Sequence, residues 1–172
     1  LKKRGAVVYT DIIDPWRFDV ARNTSIGHIP EDVDVCVSTD LDERFEKGWR
    51  KCIENAWFEG ATMGSFLYNW SLHADGTPDV QFHYIKVHAR RDHKWVCPVH
   101  EHLKYVGKQE NKTVFIPGMV LNHYPDPAKS RSNYLPLLEL GVKEDPANDR
   151  MTYYLGREYL SLVQAGLGIA GV

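Results

Sequence analysis

Val33, Val35 and Val37 recur at every second position of "DVDVCVSTD", with polar or small residues between them. That period of two predicts a strand with one buried face. "GAVVY", from Gly5 to Tyr9, predicts a second short strand. Asp14-Pro15 reads as an N-cap followed by proline at the first helical position. The helix it opens carries Trp16, Phe18, Val20, Ala21 and Ile26 and ends near Gly27. In residues 47–59 the period changes. Trp49, Cys52, Ile53, Ala56 and Trp57 share one helical face.

From Met63 to Tyr105 the chain is rich in aromatic and β-branched residues. The turn-rich "HADGTPD" splits this region into a predicted hairpin, with strands near 63–72 and 81–90. "RRDHK" makes another turn, and "KWVCPVHEHLKY" reads as extended or loop-like. "TVFIPGMVLNHY" predicts two short strands divided by Pro117-Gly118. Past Pro125 and Pro127 the pattern becomes helical. Leu135, Leu137, Leu138 and Leu140 mark one helix; Tyr153, Leu155, Tyr159 and Leu160 mark the next, across "EDPAND". The order predicts an α/β fold: a mixed sheet with flanking helices and a C-terminal helical pair.

The 172 residues suffice for a domain of ordinary size, and 43% apolar with 26% charged residues is a globular composition. A net charge of -2 gives no basic field for nucleic acid or an anionic membrane surface. No apolar stretch is long enough to span a bilayer, and no secretory leader pattern is present. Cys36, Cys52 and Cys97 are odd in number and lack CxxC spacing, which predicts reduced thiols and a cytoplasmic setting. The sequons at Asn23, Asn69 and Asn111 carry little weight beside that.

"VSTDLDERFEKGW" changes the picture. Asp40, Asp42 and Glu43 fall within four positions at the carboxyl end of the Val33–Val37 strand. Self-repulsion makes such a cluster costly unless a cation or water offsets it. If the segment stays extended, Asp40 and Asp42 project to one side, and two hard oxygen ligands suit Mg²⁺ or Mn²⁺. The alternative is a polar loop whose carboxylates cap the 47–59 helix.

The surrounding segments carry a resemblance. Ala21-Arg22-Asn23, Asp40-Leu41-Asp42-Glu43 and Gly48-Trp49, followed by "PVHEHL" and "VLNHYPDPAKSRSNYLPLLELGVKEDPANDRMTYYLGREYL", resemble in order and spacing an inverting family-two glycosyltransferase with the GT-A fold. The tail is similar to bacterial members that continue into helical repeats. The resemblance implies a GT-A-like catalytic core over 1–127 and a helical extension over 128–172. It also implies that this chain is a fragment lacking the N-terminal nucleotide-binding segment.

The activity implied is transfer of a sugar from a nucleotide-diphosphate donor to a hydroxyl, with inversion and a divalent cation, Mn²⁺ or Mg²⁺. The acceptor is a glycan, a lipid-linked glycan or a protein. The resemblance points to Asp42 as the direct metal ligand, with Asp40 shared between metal and ribose and His123 completing the shell; His100 is a rival for that place. Glu101 is implied as the base that takes the acceptor proton. Its alternative is a surface carboxylate paired with Lys104 or Arg90. Arg22 and Asn23 are candidates for the donor diphosphate; the alternative for Arg22 is a pair with Asp19 or Asp42. Lys129 and Arg131 are candidates for a basic loop over the diphosphate. Trp70, Tyr84, Trp95 and Tyr105 are candidates for an acceptor wall.

Two other readings stand beside this one. Cys97, His100 and His102 in "CPVHEH" suit zinc, which predicts a zinc hydrolase or a structural zinc site with the two histidines on one strand face. A non-catalytic binding module of the same fold is the other.

Overall fold

The computed structural model describes residues 2–126 and 134–166. Their eleven regular elements other than a short N-terminal 3-10 turn are α1 (Phe18–Gly27), β1 (Val35–Val37), β2 (Glu43–Phe45), α2 (Trp49–Ala56), β3 (Met63–Leu72), β4 (Pro78–Ala89), β5 (His93–Val96), β6 (His102–Tyr105) and β7 (Thr113–His123), then α3 (Tyr134–Glu144) with α4 (Asp149–Gln164). This is an α/β chain with a mixed five-stranded sheet. It divides into two compact units. Among the described residues, a sheet unit comprises 29–94 and 103–126, and a helical unit comprises 2–28, 95–102 and 134–166. No described helix is long and apolar enough to cross a membrane.

The sheet unit has strand order β1-β4-β3-β7-β2. Only β3 and β7 run parallel; the other pairs are antiparallel. The hairpin of β3 and β4 fits the predicted pair, with the turn at 73–77. Phe66, Tyr68, Val87, Ile116, Met119 and Leu121 form the core, closed by Ile53 of α2, with Trp49 and Cys52 packed at its margin. Thus the helical face legible at 47–59 is the face that meets the sheet. Gly64 sits where strands crowd: an added Cβ would lie 2.6 Å from Ile116 Cδ1 and 3.0 Å from Val87 Cβ.

A polar ladder crosses the sheet. Gln81 on β4 donates to Asn69 on β3 (2.6 Å), Asn69 donates to Asn122 on β7 (2.6 Å), and Asn122 donates to Glu46 just past β2 (2.5 Å). Asn69 and Asn122 are buried, so each amide needs these partners. The parallel β3–β7 pairing places the two asparagines opposite each other.

The helical unit packs Leu137, Leu138 and Met151 from α3 and α4 against Cys97 and Val99, with Phe18 of α1 at the edge. Asn148 caps α4 by accepting from the Met151 N–H at 3.1 Å. Phe18 N–H donates to Pro98 O at 3.0 Å, and Arg17 pairs with Asp19 and Glu144.

Three local expectations are corrected. Residues 6–10 have no strand partner among the described residues and lie exposed, with Tyr9 stacked on His28. A β-branched run becomes a strand only where a ladder partner exists. Pro15 lies before the helix, in a cis peptide with Asp14, and α1 opens at Phe18. Pro117-Gly118 does not end β7. Gly118 takes φ 73°, and the β3 partner jumps from Phe115 at Ser65 to Val120 at Leu67, so a bulge absorbs the pair.

His88 and His93 lie side by side in the sheet unit, their rings tilted with centroids 5.0 Å apart. Each Nδ1 donates to a backbone carbonyl, of Ala89 and of Arg91, and each buried Nε2 has no protein partner. Burial pushes His88 down to about 4 and lowers His93 as well. The folded state thus takes up these protons less readily than the unfolded chain. The associated stability is whole above the unfolded value near 6.5 and is lost as pH falls toward 4, by roughly 3 kcal/mol for His88. Urea midpoints measured from pH 7 to 4 should fall across that window, and the fall should shrink in His88→Leu. A second expectation concerns packing: Gly64→Ala should cost about 1–3 kcal/mol in the same unfolding assay.

Candidate functional site

After β1 the chain does not stay extended. Glu43 N–H donates to Asp40 O at 3.2 Å, and Asp40 N–H donates to Glu43 Oε2 at 2.8 Å, which closes a turn over 40–43. The alternation that would aim Asp40 and Asp42 to one side therefore does not apply. Their carboxylates go to different partners: Asp40 to Lys86 on β4, and Asp42 to His123 at the end of β7.

Lys86 is the residue the sequence reading missed. Its ammonium lies 3.2 Å from Asp40 Oδ2 and in closer contact with Glu43 Oε1. Tyr68 O–H donates to the same Glu43 oxygen at 2.9 Å. The Lys86 and Glu43 side chains are 3% and 2% exposed, so this is a buried ion pair with hydrogen bonds on both carboxylate oxygens. Burial first, and then the Glu43 charge, raise the Tyr68 phenol well above its usual range and keep its proton in place. Lys86 also lies over the Tyr68 and Tyr84 rings, 5.8 and 5.4 Å from their centroids. The available signal was a lysine between Tyr84 and His88 in the row of β4 that faces Tyr68.

Asp42 and His123 are 81 positions apart, yet Asp42 Oδ2 and His123 Nε2 are 3.6 Å apart. The β2–β7 register brings them together: Glu43 lies opposite His123, and Tyr124 N–H donates to Asp42 O at 2.7 Å. His123 Nδ1 donates to Trp70 O at 3.0 Å. A carbonyl only accepts, so Nδ1 holds a proton and a neutral ring presents a bare lone pair at Nε2 toward the Asp42 carboxylate. Two acceptors facing each other are reconciled by a proton or by a cation between them. Trp70, 46% exposed, stacks on His123 at 4.8 Å. Tyr68, Tyr84 and Phe82 continue the aromatic surface on this face of the sheet.

In the helical unit, Arg22 forms a close ion pair with Glu101 and lies 4.7 Å above the Trp95 ring. The partner of Glu101 is thus Arg22, where Lys104 and Arg90 were the alternatives; Arg90 donates to Ile29 O and Asp19 is held by Arg17. The Asn23 carboxamide bridges the Trp95 backbone, donating to its carbonyl at 2.8 Å and accepting from its N–H at 2.9 Å. Both ends of the amide therefore serve the fold. Trp95 is buried, and the Tyr105 ring lies against His93. Lys129 and Arg131 lie outside the described residues.

His100 takes φ 51° in the loop before β6 and stacks on Tyr154 at 3.9 Å, so it does not share a strand face with His102. Cys97 Sγ is 3.9 Å from His102 Nδ1, and burial raises the thiol above its ordinary value. Among the described residues, no three His, Cys, Asp or Glu side chains are grouped to hold a metal ion by themselves. An ion at Asp42 and His123 would take its further ligands from water or substrate, as Mg²⁺ and Mn²⁺ commonly do. No protein-family profile and no curated protein matches the chain.

Proposed function

We propose that the protein acts in an inverting glycosyltransferase reaction of the GT-A type, moving a sugar from a nucleotide-diphosphate donor to an acceptor hydroxyl with a divalent cation held by Asp42 and His123. The observation that carries this reading is the 3.6 Å approach of Asp42 Oδ2 to Nε2 of an imidazole whose Nδ1 is engaged by the Trp70 carbonyl. Two ligands that each bind one ion at roughly 2.1 Å lie about 3 to 4 Å apart, so the pair fits. The Trp70 carbonyl supports His123 from behind, as outer partners commonly do for histidine ligands.

When bound, the cation would offset the charge that develops on the departing diphosphate. Asp42 contributes a full negative charge, and His123 is oriented by its hydrogen bond and by the Trp70 ring. Asp40 is held by Lys86, so the reading gives it a supporting place beside the ion or the ribose. Glu101 is the proposed base for the acceptor proton, with Arg22 holding its carboxylate in one orientation. Free diphosphate nucleotide, rather than inorganic phosphate, is the leaving group.

Titration calorimetry with Mn²⁺ and UDP, alongside hydrolysis of a panel of nucleotide sugars, tests the reading. Asp42→Asn and His123→Ala should each weaken Mn²⁺ binding by at least about tenfold, with an unchanged far-ultraviolet circular dichroism spectrum. Glu101→Gln should leave Mn²⁺ binding intact while lowering turnover by roughly a hundredfold or more. Equal Mn²⁺ binding by the Asp42→Asn protein would remove the proposed ligand. Mn²⁺ and UDP binding with no turnover of any donor sugar would favour a non-catalytic module.

A further inference from the structure

The three carboxylates of the 40–43 turn are not equivalent. Asp40 and Glu43 share the Lys86 ammonium, while Asp42 faces His123. Lys86 is held from all sides: Glu43 and Asp40 at its head, and the Tyr68 and Tyr84 rings along its flank. With 3% of its side chain exposed, it has no solvent position to swing into without opening the sheet face. Its charge does the work a metal would do for those carboxylates. It neutralises them, it takes their oxygens as hydrogen-bond acceptors, and it repels any second cation brought to the same atoms.

We propose that Lys86 is the specificity-determining residue of the turn: a built-in counter-ion that closes Asp40 and Glu43 to divalent cations and restricts ion binding to Asp42 with His123. In its count of ions this rests on the reading of Asp42 and His123 given above; in its account of Lys86 it does not. Removing the ammonium takes from Glu43, 2% exposed, its Lys86 partner. Hard carboxylate oxygens so placed would accept Mn²⁺ in place of the lost charge. Lys86→Arg keeps a cation there and should keep the turn closed.

The test counts bound Mn²⁺ from the loss of the free-ion electron paramagnetic resonance signal. Wild type and Lys86→Arg should bind one ion, Lys86→Met two, and Lys86→Met combined with Asp42→Asn one. If wild type binds none while Lys86→Met binds one, the role of Lys86 stands and the Asp42–His123 reading falls. If Lys86→Met gains no ion over wild type, the proposal is overturned. Should Lys86→Met fold poorly, Mn²⁺ is titrated against its melting temperature and near-ultraviolet circular dichroism. Recovery with Mn²⁺ exceeding any wild-type response supports the proposal, and failure to recover overturns it.

Discussion

A buried lysine between two carboxylates governs the shape of the sheet's acidic edge. Taking such charges out of water is costly, and their attraction offsets the cost only when the hydrogen-bonding positions are filled. Here they are filled. Glu43 receives Lys86 and Tyr68 at one oxygen and the Asp40 N–H at the other. That last bond closes the turn after β1. The closed turn gives β2 its start, and β2 pairs with β7 in the register that sets Glu43 opposite His123. The approach of Asp42 to His123 thus follows from an ion pair that includes neither of them.

The helical unit shows the same logic with different chemistry. Asn23 uses both ends of its amide on the Trp95 backbone, fixing α1 to the segment that carries Glu101. With that attachment made, Arg22, one residue earlier, reaches Glu101 and covers the Trp95 ring. A helix residue in service to the fold therefore places a charged neighbour beside a carboxylate.

Much of this architecture was legible from residue patterns. The β3–β4 hairpin, the amphipathic α2 and the paired C-terminal helices follow from local periodicity, which needs no knowledge of distant partners. Asp42 and His123 lie in segments whose resemblance implies one site, while their approach depends on a β2–β7 pairing that no local pattern encodes. Lys86 escaped notice because a lysine in a strand ordinarily projects into water; only the position of Glu43 across the sheet makes its inward row intelligible. The strand expected at 5–9 failed for the converse reason. Its residues favour extension, but extension without a ladder partner is not a strand. Pro117-Gly118 misled because both residues commonly end strands, whereas here Gly118 supplies the positive φ of a bulge.

The amide ladder from Gln81 to Glu46 has a consequence for assembly of the sheet. It links β4, β3 and β7 to the end of β2, with exposed Gln81 and Glu46 at its ends and the buried Asn69 and Asn122 between them, each relying on the other. Sliding β7 one residue along β3 would turn Asn122 to the opposite face and leave the buried Asn69 amide without its acceptor. A mispaired sheet would thus lose both bonds of Asn122 at once, so the buried Asn69–Asn122 pair favours the native alignment of the two parallel strands.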